Sequence, residues 1–64
     1  GLAAIRRIAA DSLPLLDQQG WLAIEHGFEQ GEKVRNIMQG LGYASTDTIK
    51  DLADLERVSL GRKL

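Results

Sequence analysis

Gly20-Trp21-Leu22-Ala23-Ile24-Glu25-His26-Gly27 decides how this chain folds. An uninterrupted apolar run meets two polar residues and a glycine, then turns straight towards an amphipathic stretch. A short apolar run bounded by glycines reads as a buried strand over residues 21–26. Side chains alternate along a strand, so Trp21, Ala23 and Glu25 share one face and Leu22, Ile24 and His26 the other. Apolar residues on both faces mark an interior strand covered on both sides. A chain of 64 residues barely covers two faces, because so short a domain buries only about 60% of its unfolded surface. Residues 1–64 therefore read as one partial domain of something larger.

Downstream, Val34, Ile37, Met38 and Leu41 recur at helical spacing, while Glu32, Lys33, Arg35 and Asn36 take the solvated side. The spacing predicts a helix from about Gln30 to Leu41, stopped by Gly42. Upstream, Ile5, Ile8, Ala9, Ser12 and Leu16 predict a helix over 2–18. Pro14 predicts a kink or break near residues 10–13, since it removes one helical hydrogen bond and clashes one turn back. Gly20 suits the left-handed residue that ends such a helix.

Ser45 to Lys50 reads as a polar strand at a sheet edge, with Ile49 its main core contact. Asp51 to Glu56 is an acidic turn. Arg57 to Arg62 reads as the last strand, with Val58 and Leu60 pointing inward. Strand-helix-strand is a parallel crossover unit, and the last strand returns by a short connection, antiparallel to its predecessor. It fits the gap between the other two. The expected fold is α/β, in the order α-β-α-β-β. It has a three-stranded mixed sheet of spatial order first-third-second, with both helices on one face.

Eight basic and nine acidic residues give a net charge of −1. That balance argues against a nucleic-acid footprint, which needs a clustered basic face. No apolar run approaches the roughly 20 residues of a membrane span, and no signal-peptide pattern opens the chain. Zero cysteines exclude disulfide staples and Cys/His metal spacing. The expectation is a cytoplasmic chain with no metal, no membrane contact and no direct nucleic-acid binding.

In open α/β folds ligands sit outside the carboxyl ends of the strands. Glu25, His26, Gly27 and the nearby Gln30 are thus the candidate crevice wall. Each has an ordinary reading beside the functional one. Glu25 and His26 point to opposite faces and cannot jointly ligate one metal; both also suit a strand end reaching solvent. Gly27 and Gly31 bracket a loop whose N–H groups can approach a ligand, yet Glu29 and Glu32 repel an anion there, and turn glycines explain them as well. Gln30 can hold a substrate amide or simply begin a helix. Gly40-Leu-Gly-Tyr-Ala-Ser45 nearly matches GxGxxG but follows a helix, the reverse of a dinucleotide fingerprint. Ser12, Ser45 and Ser59 lack a nucleophile elbow, and one histidine makes a hydrolase triad improbable. Asp51, Asp54 and Glu56 are too scattered for an EF-hand loop.

Laid out in order, these stretches resemble the carboxyl-terminal part of a HemK-type protein-glutamine N5-methyltransferase, over nearly the whole chain. Gly1-Leu2 with Arg6-Arg7-Ile8-Ala9 resembles the family's helix after its catalytic loop. Leu15-Leu16 through Gly27 resembles its fifth strand. Gln30-Gly-Glu-Lys-Val-Arg35 and Leu41-Gly-Tyr43 resemble the ends of its next helix. Asp51-Leu-Ala-Asp-Leu-Glu-Arg-Val58 with Leu60-Gly-Arg62 resembles its closing hairpin. The resemblance implies the end of a Rossmann-like, S-adenosylmethionine-dependent fold that modifies peptide chain release factors. The family's glycine-rich cofactor loop and Asn-Pro-Pro-Tyr loop do not occur here, so this stretch is expected to bind no cofactor and carry no catalytic residue. Self-association through a truncated sheet edge is a further expectation. Two alternatives stand beside this reading: a non-catalytic protein-interaction module, or the end of a related methyltransferase acting on nucleic acid.

Overall fold

The computed structural model describes residues 1–64. Helix α1 (Leu2–Ser12) leads through a 3-10 turn at Leu13–Leu15 to strand β1 (Trp21–Glu25). A second 3-10 turn, Phe28–Gln30, opens helix α2 (Gly31–Leu41), followed by β2 (Ala44–Lys50) and β3 (Glu56–Arg62). The sheet order is β1-β3-β2. Both ladders are antiparallel, because β3 runs against two strands that share one direction. The spatial order and the direction of the last strand are those expected from the sequence.

Pro14 ends the first helix instead of kinking it. With Pro14 in the 3-10 turn, α1 stops at Ser12, two residues before the proline and inside the 10–13 stretch where a break was expected. Gly20 is not the left-handed residue; Gln19 is, at φ 69°, while the Gly20 N–H donates to the Asp17 carbonyl at 2.9 Å. Gly42 does end α2 as expected, at φ 103°.

The core is Ile5 and Ala9 of α1, Ile24 of β1, Val34, Ile37 and Met38 of α2, and Tyr43. Tyr43 ties the layers together by donating its hydroxyl to the Ala9 carbonyl at 2.7 Å. Burial pushes the Tyr43 phenol above its ordinary pKa of 10.0. Ile8, expected in the helix stripe, is instead half exposed.

The inward phase of β2 and β3 is one residue away from the sequence reading. Ser59 and Gly61 face the helices, whereas Val58 and Leu60 lie on the other side. The cause is close approach. A Cβ on residue 61 would stand 2.8 Å from Met38 Cε and 3.0 Å from Tyr43 Cβ. Glycine lets α2 sit directly on the strand backbone, and that contact fixes which face is the core. Thr48, opposite Ser59, turns inward with it. Ile49 therefore points outward at 52% exposure and is no core contact.

Candidate functional site

The carboxyl end of β1 is where the sequence-selected residues gather, and the structure divides them. Glu25 lies on the open face of the sheet, paired with Val58 across the ladder. His26, one residue on, turns to the helix side. Its Nε2 lies 2.7 Å from Ser59 Oγ, and its Nδ1 lies 2.8 Å from the Gly27 carbonyl oxygen.

The direction of these bonds follows from the inventory of donors. A carbonyl only accepts, so Nδ1 carries the proton and, in the neutral ring, Nε2 accepts from the Ser59 hydroxyl. Ser59 Oγ in turn meets Thr48 Oγ1 at 3.1 Å. Arg35 donates to Thr48 Oγ1 and also pairs with Glu56 at 3.3 Å. The relay runs one way, from Arg35 through Thr48 and Ser59 to His26 and the Gly27 carbonyl. It clasps the start of α2, both outer strands and β3 at a single point.

Gln30 is half committed. Its side-chain oxygen accepts from the Gly27 N–H at 3.0 Å, and its own N–H donates to the Gly27 carbonyl at 3.0 Å. This reciprocal pair caps the entry to α2 and leaves the two donors of the amide nitrogen without a partner in the chain. Neither Gly27 nor Gly31 uses the left-handed region. Gly31 leaves room for the Glu56–Arg35 pair, since a Cβ there would come within 3.0 Å of Glu56 Cδ and 3.3 Å of Arg35 Nη1.

Ser59 and His26 make a serine–histidine contact, but Ser59 is fully buried, out of reach of any substrate. The pair is architectural. No buried side-chain nitrogen or oxygen lacks a partner, and no three His, Cys, Asp or Glu side chains stand together as a metal set. The buried polar groups at this end are spent on one another. A shallow groove of about 370 Å³ lies elsewhere, between α1 and α2, lined by Leu2, Arg6, Lys33, Asn36 and Ile37. It contains none of the four selected residues.

Sequence reasoning missed Ser59, Thr48, Arg35 and Glu56 as partners of His26. Each is an ordinary polar residue until the strand order and the register Ile24↔Ser59 and Thr48↔Ser59 are known.

Fold and strand-end geometry together define a small α/β piece in which β1 ends at His26 and Gly27. The chain is 42% identical over 62 residues to a release factor glutamine methyltransferase of Pseudomonas aeruginosa, covering 97% of this chain and 22% of that protein. It is 45% identical over 62 residues to the Vibrio cholerae protein of the same name, again 97% of this chain and 22% of that one. The Coxiella burnetii protein of that name is 40% identical over 63 residues, with 98% and 23% covered. No family model matches the chain. By sequence, then, the chain is a segment of the release factor glutamine methyltransferase family, spanning about a fifth of the length of the curated relatives it matches.

Proposed function

We propose that this chain is the carboxyl-terminal segment of an S-adenosylmethionine-dependent methyltransferase that modifies the side-chain amide of a glutamine in peptide chain release factors. The observation that carries this reading is identity of 40–45% along nearly the whole chain to three proteins of that name. The cofactor supplies the methyl group when bound. The residues here supply position: β1, β3 and β2 finish the sheet, and the His26 relay fixes the strand end where the crevice opens.

Glu25, His26, Gly27 and Gln30 wall that crevice. The free donors of the Gln30 amide nitrogen face an incoming carbonyl group, while Glu25 offers a carboxylate from the opposite side of the strand. Methyl transfer to an amide nitrogen is a positioning task, needing donor and acceptor held in line. A wall fixed by bonded backbone and a half-committed glutamine serves that task. The chain by itself carries neither the cofactor loop nor the substrate loop, and acts in the cytoplasm as part of the longer enzyme.

The test is direct. The coding frame upstream of Gly1 is expected to encode a glycine-rich strand-to-helix turn and an Asn-Pro-Pro-Tyr loop. The full-length product is expected to transfer radiolabelled methyl to a release factor, and the 64-residue chain to transfer none. Transfer by the 64-residue chain alone, or an upstream frame without either loop, overturns the reading.

A further inference from the structure

The ladder between β1 and β3 stops at His26, and the His26 side chain takes over where it stops. The last backbone bond at this end runs from the His26 N–H to the Arg57 carbonyl at 2.9 Å. Gly27 comes next, and glycine has the widest backbone freedom of any residue. Here it takes φ −67° and ψ 152°, with both of its backbone groups bonded. Its carbonyl accepts from His26 Nδ1 at 2.8 Å and from the Gln30 N–H at 3.0 Å. Its N–H donates to Gln30 Oε1 at 3.0 Å. The imidazole is itself anchored on β3, where its Nε2 meets the fully buried Ser59 at 2.7 Å.

A backbone N–H only donates, so the Gln30 amide must turn its oxygen to Gly27 and its nitrogen away from the loop. We infer that His26 is a positioning residue for the substrate. By pinning the Gly27 carbonyl it fixes the direction of the Gln30 amide, whose N–H donors hold an acceptor oxygen of the release-factor peptide. The role towards substrate rests on the methyltransferase reading above, whereas the direction of the Gln30 amide does not. Both ring nitrogens of His26 are engaged within the chain. The imidazole is therefore a strut, acting only through Gly27 and Gln30.

Substitution separates the two ring nitrogens. Asparagine carries an N–H donor at the same remove from Cβ as Nδ1, and glutamine carries one as far out as Nε2. His26→Asn thus keeps the bond to Gly27 and gives up Ser59, while His26→Gln does the reverse. The full-length enzyme is assayed with a release factor and a radiolabelled methyl donor. Gln30→Ala is expected to raise the KM for the release factor about fivefold with kcat unchanged, the loss of one hydrogen bond made equally before and during the reaction. His26→Gln is expected to raise that KM by a similar factor, and His26→Asn to leave it near the wild-type value. Combining His26→Gln with Gln30→Ala is expected to add nothing to Gln30→Ala alone, because the two residues act as one unit. Equal KM values in the two His26 variants, a fall in kcat alone, or additive losses in the combined variant overturn the inference. A wild-type enzyme without transfer sinks the proposed function and leaves the His26–Gln30 linkage to a second readout. In the full-length protein labelled with 15N-glutamine, the Gln30 side-chain amide resonances are expected to move in His26→Gln and to stay in His26→Asn. No movement in His26→Gln, or the reverse pattern, overturns the linkage itself.

Discussion

The β1 and β2 edges belong to one small sheet, yet they are built on opposite plans. The β2 edge is guarded. Its ladder shifts register between Ala44 and Asp47 and again between Ile49 and Lys50. Ser45 takes a left-handed φ of 52°, Asp47 caps the Thr48 N–H with its own carboxylate, and Lys50 closes the strand. Each device twists, fills or charges the edge. The β1 edge has none of them, and on its outer face Trp21 and Ala23 lie exposed. The lesson is that two edges of one sheet can be told apart by their chemistry alone.

The faces repeat the contrast, and the largest expected effects test it there. Met38 is fully buried under α2, so Met38→Ala is expected to cost about 2–5 kcal/mol in denaturant unfolding. Trp21→Ala on the open face is expected to cost the dilute monomer about 1 kcal/mol or less. Equal losses would erase the distinction between faces. Gly61→Ala forces a methyl against Met38 and Tyr43 and is expected to destabilise by about 1–3 kcal/mol. Gly40→Ala meets nothing within 4 Å and is expected to stabilise α2 by about 0.5–1 kcal/mol. Opposite signs at two glycines sharpen the account; the same sign contradicts it.

A smaller effect is expected at the clasp. Ser59→Ala leaves His26 Nε2 without its donor and Thr48 without its acceptor, at a cost of about 1–2 kcal/mol. The Gly27 carbonyl still holds the proton on Nδ1, so the Nε2 shift alone should move; an unchanged Nε2 shift would show that Ser59 does not donate to the ring.

The smallest expected effects are pH-linked, and their signs differ. Asp51 closes the β2–β3 turn by accepting from Arg57 Nε at 2.9 Å and from the N–H groups of Leu55 and Ala53. The Arg57 hydrogen bond, then the Leu55 N–H, holds the Asp51 carboxyl below the ordinary aspartate range. A depressed carboxyl contributes stability above its unfolded pKa, lost as pH falls through the folded value. Acid should therefore loosen the guarded hairpin, and Asp51→Asn should remove that dependence in a urea titration. Tyr43 acts at the other end: its raised phenol pKa contributes stability below pH 10.0 that disappears as pH rises through the folded value. Ultraviolet titration of the phenolate checks it, and ionisation at the ordinary value would deny the burial.

Much of this fold was legible from residue patterns. The α2 stripe, the Gly42 stop, the β1 run and the β1-β3-β2 order all follow from periodicity and connection length. The phase of β3 was not, because Gly61 is a poor signal: only its approach to Met38 reveals that the strand buries glycine and serine and leaves Val58 and Leu60 outside. Alternation of apolar residues pointed the other way. The candidate strand end was located from Glu25-His26-Gly27, whereas the relay partners depend on register, which no local spacing encodes. Ile49 misled for the same reason, since its apolar side chain follows Val58 onto the open face.

Residue-resolved amide hydrogen exchange tests the unequal edges most directly. In dilute solution the Leu22 and Ile24 amides, bonded to β3, should exchange slowly, while those of Trp21, Ala23 and Glu25 exchange fast. Slow exchange at Ala23 in dilute solution would contradict an open β1 edge.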